Sequence, residues 1–233
     1  MGFQYEGNEL DFFSDVPNWR KYILKRISKV TAPTGYVVEL GSGIGSNAPY
    51  LASLTSKYIG IEPDKLLVAA AKLNHSNLKF ACGYSEEIAK FHFEIGMVCL
   101  IDVLEHISED RTEILKISKY LKPGSKIVIL VPAHNFLFSD LDRSVGHYRR
   151  YTKTSLKRVI PDSLEILSCE YLDTLGFILS AFSKLLGLGN SLSKLSVKIW
   201  HFLLPISIRL DSISNHLIGK SIILISEVKD LEH

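Results

Sequence analysis

The sequence is poor in cysteine and has no cluster of metal-ligating residues. Its three cysteines, Cys82, Cys99 and Cys169, lie far apart, and neither a CxxC pair nor a local group of cysteine and histidine occurs. The sequence therefore excludes a disulfide framework and a zinc site of the usual spacing. We expect a chain that binds no metal.

The sequence also has no large excess of charge of either sign and no long apolar run. The 27 basic residues nearly balance the 25 acidic ones, so the chain lacks the basic field of nucleic-acid-binding proteins, and we expect no nucleic-acid partner. No run of ~18 uninterrupted apolar residues is present, which excludes a predicted transmembrane helix. The first 13 residues carry acids where a signal peptide has a basic and then an apolar stretch. The resulting prediction is a cytoplasmic location.

The sequence does contain enough apolar material for a sizeable core. Hydrophobic residues make up 46% of the 233 positions and charged residues 22%, which is the composition of a globular protein. This length is typical of a single α/β domain. We therefore predict one domain over residues 1–233.

Strand-like apolar runs alternate with helical periodicity through the first two thirds of the chain. Helices are predicted near 46–55, 64–74 and 109–121, and an N-terminal helical cap within 1–32. Strands joined by single helices form βαβ units, and hence a parallel sheet with right-handed crossovers. The seven predicted strands are Tyr36–Leu40, Tyr58–Glu62, Leu78–Ala81, Ile95–Ile101, Lys126–Val131, Leu164–Tyr171 and Ser221–Val228.

A helical insertion, residues 174–219, separates the last two predicted strands. Its apolar residues recur at helical spacing on both sides of Pro205, which predicts separate helices before and after that proline. One interpretation is a lid that covers a binding site and builds an apolar pocket, or that contacts a membrane surface peripherally. The alternative is an ordinary packed subdomain or a dimer interface, so that both a monomer and a homodimer stay open.

The most informative motif is a glycine-rich loop between a predicted strand and a predicted helix. Gly41, Gly43 and Gly45 alternate with other residues there, and glycine permits positive φ and the close approach of a ligand. A dinucleotide fingerprint needs glycine or alanine at the position of Ser46. Glu39 lies two residues before the first of these glycines. A carboxylate at that position repels a phosphate but can bind an ammonium group. The loop therefore favours a zwitterionic ligand without phosphate.

The pattern Glu39-x-Gly41-x-Gly43-x-Gly45 resembles the first motif of class I S-adenosylmethionine (SAM)-dependent methyltransferases, the group that includes the ubiquinone-pathway enzymes. The string Asp102-Val103-Leu104-Glu105-His106-Ile107, after the fourth predicted strand, is similar to a second motif of that group. The resemblance implies a Rossmann-like, doubly wound α/β sheet of seven strands, the last antiparallel, with SAM as cofactor. It also implies methyl transfer to a small-molecule or glycan acceptor, with oxygen as the expected acceptor atom.

Further stretches are similar to one bacterial branch of these enzymes, whose members often accompany or are fused to glycosyltransferases. This similarity is the reason to expect a glycan among the acceptors. The stretches are Tyr5-Glu6-Gly7, Asn18-Trp19-Arg20-Lys21-Tyr22, Leu121-Lys122-Pro123-Gly124 and Gly146-His147-Tyr148-Arg149-Arg150-Tyr151-Thr152.

The predicted cofactor contacts lie at the ends of four strands. Glu62, followed by Pro63, ends the second strand, and an acid there accepts hydrogen bonds from both ribose hydroxyls, a device that NAD enzymes share. Tyr84 stands where the family usually has an aspartate that binds adenine, so we expect stacking on Tyr84, backbone contact at Ser85, and a weaker role for Glu86. The remaining predicted contacts are Glu39, Gly41, Ser42, Gly43 and Gly45 in the loop, and Leu100, Ile101, Asp102 and Val103 beside the methionine part.

Three residues are candidates for the catalytic step. Methyl transfer needs alignment of the two substrates and often removal of a proton from the acceptor. His106 is a candidate base, although a structural role is favoured because a Glu-His pair also caps and orients a helix. His147 and Tyr148 are the other candidates, since they lie in the long segment Pro132–Tyr151, which is expected to cross the mouth of the site.

Other interpretations stay open at this level. Arg143, Arg149 and Arg150 suit an anionic acceptor, and equally a solvated basic turn. An NAD(P)-dependent oxidoreductase is a second class of function, which Ser46 and Glu39 disfavour. A SAM-binding protein without catalysis is a third class.

Overall fold

Seven strands form one sheet in the computed structural model, which describes residues 16–91, 94–186 and 194–230. Their spatial order is β3-β2-β1-β4-β5-β7-β6. Strand β7 runs antiparallel to both β5 and β6, whereas the pairs among β1 to β5 are parallel. The strands are β1 (Tyr36–Leu40), β2 (Tyr58–Glu62), β3 (Lys79–Cys82), β4 (Ile95–Ile101), β5 (Lys126–Pro132), β6 (Leu164–Leu172) and β7 (Ser221–Val228).

The observed strands agree with the predicted ones to within one residue at either end, and the predicted fold class is confirmed. Short 3₁₀ helices span Ser85–Lys90, Leu104–His106 and Asn135–Leu137. The described α-helices are α1 (Pro17–Val30), α2 (Ala48–Ala52), α3 (Lys65–Asn74), α4 (Asp110–Lys119), α5 (Asp140–Ser144), α6 (Lys153–Val159), α7 (Thr174–Leu185) and α8 (Lys194–Ile213).

Helices cover both faces of the sheet, which explains why the central strands β4 and β5 are apolar along nearly their entire length. Along β4, Met97 and Cys99 face one apolar cluster, and Val98 and Leu100 face the other. The first cluster includes side chains of α1, α2 and α3, and the second includes side chains of α4 and α6. Successive residues of a strand point to opposite faces, so both sets are removed from water. The carboxyl ends of β1, β2 and β4 meet at one edge, where α/β proteins place ligands.

The insertion differs from the prediction at Pro205. Helix α8 continues through this proline from Lys194 to Ile213, although proline removes one backbone hydrogen bond and normally ends or kinks a helix. Leu204, Ser207 and Asp211 are almost fully buried on one side of the helix. Packing along this side, before and after the proline, outweighs the local cost. Residues 187–193 of the predicted insertion and residues 1–15 of the predicted cap lie outside the described residues.

A buried carboxylate joins the insertion to the rest of the fold. Asp211 of α8 accepts hydrogen bonds from the Tyr22 hydroxyl of α1 at 2.8 Å, from the Asp173 N–H at 2.9 Å, and from the Thr174 N–H and hydroxyl at 2.7 and 2.6 Å. Asp173 in turn accepts from Trp200 Nε1 at 2.8 Å and from the Ser207 hydroxyl at 2.7 Å. Helices α1, α7 and α8 are thus fixed to one another.

The outer sides of α7 and α8 expose apolar side chains. Phe182 is 60% exposed and Phe202 82% exposed, so these helices offer a surface to a further apolar partner. Membrane contact and a homodimer both stay predictions. No helix in the described ranges is both long enough and apolar enough to cross a bilayer. The exposed apolar residues are Ile178, Leu179, Phe182, Leu185, Leu186, Ile199, Phe202, Ile206 and Ile213.

Replacement of Asp211 by alanine is expected to lower the free energy of unfolding by about 3 kcal/mol or more, because four buried donors lose their acceptor. Urea denaturation followed by circular dichroism measures the change. Asp140→Ala is the control: its side chain is 99% exposed, so a change of at most about 0.5 kcal/mol is expected. A loss below about 1 kcal/mol for Asp211→Ala would show that the insertion does not depend on this carboxylate.

Candidate active site

The glycine loop adopts the backbone conformation that its sequence predicts. Gly41, Gly43 and Gly45 have φ values of +69°, +52° and +83°, a region that side chains disfavour. A Cβ atom on Gly41 would lie 2.5 Å from the side chain of Val103, at the end of β4. The loop therefore turns sharply after β1 and approaches β4 with bare backbone.

Glu39 lies beneath this loop, with 1% of its surface exposed. Its carboxylate accepts a hydrogen bond from Asn47 Nδ2 at 2.9 Å and another from the Tyr58 hydroxyl. Arg20 Nε donates to Asn47 Oδ1 at 3.0 Å and extends the network to α1. Burial raises the pKa of Glu39 to about 7, and the Tyr58 and Asn47 hydrogen bonds and the Arg20 charge oppose the shift. Glu39 thus supports the loop, and its contact with an ammonium group stays a prediction.

Glu62 connects the end of β2 to the glycine loop. One carboxylate oxygen accepts a hydrogen bond from the Gly43 N–H and the other from the Asp64 N–H, each at 3.0 Å. Asp64 caps α3 by accepting from the N–H groups of Leu66 and Leu67, so Glu62 is not needed as the helix cap. Burial raises the pKa of Glu62. Its carboxylate is placed at the strand end that the sequence predicts for a ribose, beside exposed Pro63.

The edge of β3 offers an exposed ring and a buried hydroxyl. Tyr84 is 70% exposed, while Ser85 is 2% exposed and its hydroxyl has no hydrogen-bond partner among the described residues. The Ser42 hydroxyl in the glycine loop is likewise buried and unpartnered within the described ranges. Glu86 is exposed and bound to Lys116, which ties this weaker candidate to a surface ion pair. The buried hydroxyls of Ser42 and Ser85, next to the backbone of the glycine loop, fit a nucleoside ligand at this edge.

The end of β4 completes the same edge. Leu100 and Ile101 are buried, while Asp102 is exposed with φ +53°. The Asp102 N–H donates to the Leu130 carbonyl at 2.9 Å, which holds this turn against β5. Val103 is half-buried and packs against Gly41. The structure thus brings the predicted contacts of β4 beside the loop, and their roles toward a cofactor stay predictions.

Two of the three candidate catalytic residues meet beyond β4, together with a buried acid. One donor atom from each of Glu105, His106 and His147 lies within 4.8 Å of the other two. The two imidazole rings are 4.5 Å apart, edge to face. Tyr148 donates its backbone N–H to the Glu105 carbonyl at 2.8 Å, while its ring is 61% exposed. His106 and His147 are therefore adjacent, and the Tyr148 ring points outward.

Glu105 does not cap the short helix in which it lies. It is fully buried, neither carboxylate oxygen has a hydrogen-bond partner in the described part of the chain, and His147 Nε2 lies 3.8 Å from Oε1. Burial raises the pKa of the Glu105 carboxyl, and the charge of Asp102 adds to the shift. Burial and the nearby His147 lower the pKa of His106 to about 4, so this imidazole is neutral at neutral pH.

Asp142 orients His147, and sequence reasoning missed it. Its buried carboxylate is 2.9 Å from His147 Nδ1, accepts from Arg150 Nε at 2.8 Å and from Arg150 Nη2 at 2.9 Å, and caps α5 through Ser139. These partners hold the pKa of Asp142 well below its usual range. A Ser-x-x-Asp capping pattern at 139–142 was the available signal, but it indicates a helix start and no link to a histidine.

The arginines of this segment bind aspartates of the same chain. Arg149 pairs with Asp110 at 2.6 Å, Arg150 pairs with Asp142, and Arg143 pairs with Asp140 on the surface. Neither predicted role, an anion site or a purely solvated turn, describes Arg149 and Arg150. Arg149 connects the segment after β5 to the start of α4, and Arg150 connects the end of that segment to α5.

Helix α7 packs against the residues that follow β5. His134, directly after β5, stacks on Tyr171 at a ring separation of 4.9 Å, and its ring lies 4.7 Å from that of Phe177 in α7. Lys184 of α7 donates to the Phe138 carbonyl at 3.0 Å. The insertion therefore packs against the loop that follows β5, which is where a lid over an acceptor is predicted.

Comparisons with known proteins agree with this geometry. A methyltransferase-domain family model matches residues 16–165. Over 98 residues the chain is 30% identical to a ubiquinone biosynthesis O-methyltransferase of Bradyrhizobium diazoefficiens, an alignment that covers 40% of this chain and 38% of the relative. The match thus spans well under half of that relative's length.

Two solved structures share the fold at low sequence identity. One is a chain of the complex that contains the Haloferax volcanii Trm112 methyltransferase activator, with a TM-score of 0.64, 15% identity, and 98% and 100% of the two chains covered. The other is an S-adenosylmethionine-dependent methyltransferase of Clostridium acetobutylicum, with a TM-score of 0.57, 10% identity and 93% of each chain covered. Since the family model matches more than half of the sequence, the chain belongs to the methyltransferase-domain family.

Proposed function

We propose that this methyltransferase transfers the methyl group to a hydroxyl oxygen of a small-molecule or glycan acceptor. The observation that carries the proposal is the pair His106 and His147, which meet beyond the strand end predicted to border the methionine part of SAM. A hydroxyl must lose its proton during transfer, and this site offers neutral imidazole nitrogen beside a buried carboxylate. We infer that residues 1–233 act as one unit in this reaction.

The cofactor contacts follow from the sheet edge. We infer that the backbone of Gly41, Gly43 and Gly45 cradles the methionine end, with Glu39 supporting the loop from below. Glu62 suits the ribose hydroxyls, with Pro63 next to it, and the exposed ring of Tyr84 and the free hydroxyl of Ser85 suit adenine. The remaining inferred contacts are Ser42, Leu100, Ile101, Asp102 and Val103.

The chain's own residues position the acceptor and remove its proton. When bound, SAM supplies an electrophilic methyl group on a sulfonium, which needs alignment more than activation. Asp142 binds Nδ1 of His147, and Nε2 of His147 is directed toward Glu105. The ring of His106 packs against the ring of His147. We infer that Tyr148, whose ring is exposed, contacts the acceptor at the mouth of the site.

The acceptor that fits best is uncharged at the reacting end. Arg149 and Arg150 each bind an aspartate, so their charges are already neutralised within the chain. The aromatic group of His134, Phe136 and Phe177 presents ring faces and edges, which suit a sugar or phenol ring. A neutral hydroxyl compound is therefore favoured over a carboxylate or phosphate.

Replacement of Glu62 by glutamine is expected to weaken SAM binding about tenfold to a hundredfold, because a carboxylate that accepts two hydroxyl hydrogen bonds becomes a neutral amide. Isothermal titration calorimetry with SAM measures the change. Glu86→Gln is the matched control, since Glu86 is an acid of the same edge that is engaged by Lys116. Equal affinities of wild type and Glu62→Gln would remove Glu62 from the proposed ribose site.

The contribution of Glu39 to the free energy of unfolding is expected to depend on pH. Its pKa is about 7 in the fold against 4.5 in the free side chain, so its contribution to stability is complete below about pH 4.5 and is lost as the pH rises to 7. Relative to Glu39→Gln, the wild type should lose about 3 kcal/mol of free energy of unfolding across this interval. Tyr58, Arg20 and Glu62, which also act on the pKa of Glu39, are the same in the wild type and in Glu39→Gln. The comparison therefore isolates the ionisation of Glu39.

Urea unfolding of wild type and Glu39→Gln between pH 4.5 and 8 measures this difference. Glu86→Gln, which alters an exposed carboxylate, should show no comparable loss. A difference that is constant with pH, or that grows in favour of the wild type, would contradict a buried Glu39 carboxylate of raised pKa.

A panel of acceptors tests the reaction itself. We expect S-adenosylhomocysteine to form, with a methylated product in mass spectrometry, for neutral glycosides or phenols and not for their carboxylate or phosphate counterparts. His147→Ala should abolish product while SAM binding is retained. Turnover restricted to anionic compounds, or to nitrogen acceptors, would refute the proposed acceptor class.

A further inference from the structure

We propose that His134 and Lys220 bind hydroxyl groups of the acceptor, and that this acceptor is a neutral sugar with further hydroxyls besides the one that is methylated. This inference rests on the proposed function and selects the sugar over the phenol. The two residues are far apart in the sequence, and the fold brings both to the carboxyl end of β5.

Backbone pairing places the two residues next to each other. The N–H of Ala133, the residue before His134, donates to the Lys220 carbonyl at 2.8 Å, and the Lys220 N–H continues the pairing to the residue after β6 at 3.1 Å. Ile222, two positions further along, pairs with Tyr171 of β6. Residues two apart in a strand share a face, so Lys220 lies on the face of Tyr171. His134 stacks on this tyrosine, with the ring planes 11° apart.

Lys220 carries an amino group that the described part of the chain does not pair. Nζ has neither a hydrogen-bond acceptor nor a carboxylate oxygen at ion-pair distance there. Burial lowers the pKa of Lys220, although the charges of Asp173 and Asp142 oppose the shift. Both acids are already bound by other donors. The side chain is half-buried and Nζ keeps contact with solvent. An unpaired group in this position is costly, and a polar ligand that reaches it is favoured.

His134 is strained and also has an unsatisfied nitrogen. Its φ is +65° and its ψ +101°, a conformation that a residue with a side chain adopts only at a cost and that is most frequent at functional sites. Nε2 is fully buried and has no hydrogen-bond partner within the described ranges. Burial lowers the pKa of His134, so the imidazole is neutral at neutral pH. A neutral imidazole has one donor and one acceptor nitrogen, which matches a hydroxyl group.

Aromatic packing explains the ring of His134 but not its nitrogens. A phenylalanine at this position would stack on Tyr171 and Phe177 without burying an unsatisfied Nε2. Phenylalanine would also pack there without a polar atom to desolvate. The histidine therefore indicates a polar contact that the chain itself does not supply.

The charges around the pair favour a neutral ligand. The charge of Arg150 lowers the pKa of both His134 and Lys220, so this guanidinium lies near both side chains. The positive charges of Arg150 and Lys220 are balanced by the negative charges of Asp142 and Asp173. An anion gains little where the surrounding charges cancel, whereas hydroxyl groups need donors and acceptors without net charge.

A sugar combines such hydroxyls with apolar faces. The rings of Phe136 and Phe177 lie 5.7 and 4.7 Å from the ring of His134, and Phe136 is 54% exposed. An aromatic ring offers an apolar face for the C–H groups of a sugar, and rotation of the exposed Phe136 is expected to open the approach to Nε2. A simple phenol has one oxygen, the one that is methylated, and would leave His134 and Lys220 unpaired.

The ion pair of Asp142 and Arg150 connects this pair of residues to the proposed base. Asp142 lies 2.9 Å from Nδ1 of His147 and accepts from Arg150 at 2.8 Å, and Arg150 is the common neighbour of His134 and Lys220. An acceptor that extends from His147 to these two residues needs oxygens at more than one carbon, as a sugar has.

Kinetics with matched sugars test the proposal, with methyl hexosides, their single-deoxy analogues and simple phenols as acceptors. We expect methylation of hexosides, and a loss of about 100-fold or more in kcat/KM for an analogue that lacks a bound hydroxyl, because buried groups are then left unpaired. Lys220→Met and His134→Phe should each cause a similar loss, mainly through KM. For the analogue that lacks the hydroxyl bound by Lys220, the wild type and Lys220→Met should be equal. Lys157→Met, which alters an exposed lysine of α6, should act as the wild type does.

Thermal unfolding separates ligand binding from a structural role. Lys220→Met removes an unpaired group from a desolvated position, so its melting temperature is expected to rise. A lysine that held the fold together would give a lower one. His134→Asn, which tolerates positive φ and keeps a donor and an acceptor, should retain part of the sugar turnover that His134→Phe loses. Unchanged SAM affinity in calorimetry shows that each variant is folded.

Three results would overturn the proposal: hexoside kinetics of Lys220→Met and His134→Phe equal to the wild type, a lower melting temperature of Lys220→Met, or methylation of phenols and of no sugar. The last result leaves the proposed function standing. Turnover that requires an anionic sugar would overturn the neutral ligand class. An enzyme that binds SAM but methylates neither sugars nor phenols at oxygen would refute the proposed function, and this proposal with it.

Discussion

The hydrogen bond from the Gly43 N–H to the Glu62 carboxylate is the interaction on which the site depends. It ties the loop after β1 to the end of β2, and Glu39 supports the same loop from below through Asn47 and Tyr58. A loop of three glycines in the left-handed region has little intrinsic preference for one shape. Two buried acids supply the constraint that the loop lacks, and the bare backbone then faces β4 with a fixed geometry.

A second set of buried acids organises the other half of the site. Asp142 joins His147, Arg150 and Ser139, and thereby fixes the conformation of the segment after β5. Asp211 and Asp173 fix the inserted helices to α1. The edge proposed to bind the cofactor and the segment proposed to face the acceptor thus share one feature: a carboxylate that is removed from water and surrounded by hydrogen-bond donors. Glu105, whose carboxylate has no hydrogen-bond partner within the described residues, departs from this pattern.

Most of the fold could be predicted from the sequence, because fully buried parallel strands are continuous apolar runs. β4 and β5 illustrate this, since each is apolar along nearly its entire length. The glycine loop was equally predictable, because positive φ at Gly41, Gly43 and Gly45 leaves a direct signature in residue type. The predicted helix break at Pro205 was wrong, because the packing of Leu204, Ser207 and Asp211 outweighs the tendency of proline to end a helix. Such packing is not visible in a short stretch of sequence.

The parts of the site that the sequence did not reveal depend on contacts between distant residues. For Arg149 and Arg150 the sequence left both an anion site and a solvated turn open, because their partners, Asp110 and Asp142, are identified only by the fold. The closeness of Glu105 to His147, which lies beyond β5, is likewise visible only in the fold. His106 and His147 were candidates from the sequence, since their residue type and their place after strands indicate chemistry. The structure shows that the two rings are adjacent, and their catalytic roles stay predictions.

A crystal structure of the enzyme with S-adenosylhomocysteine tests the placement of the site most directly. The expected result is that the ribose hydroxyls lie within hydrogen-bond distance of the Glu62 carboxylate, that the amino-acid end lies on the backbone of the glycine loop, and that the sulfur faces the space before His106 and His147. A ligand bound elsewhere, or a sulfur directed away from the two histidines, would contradict it.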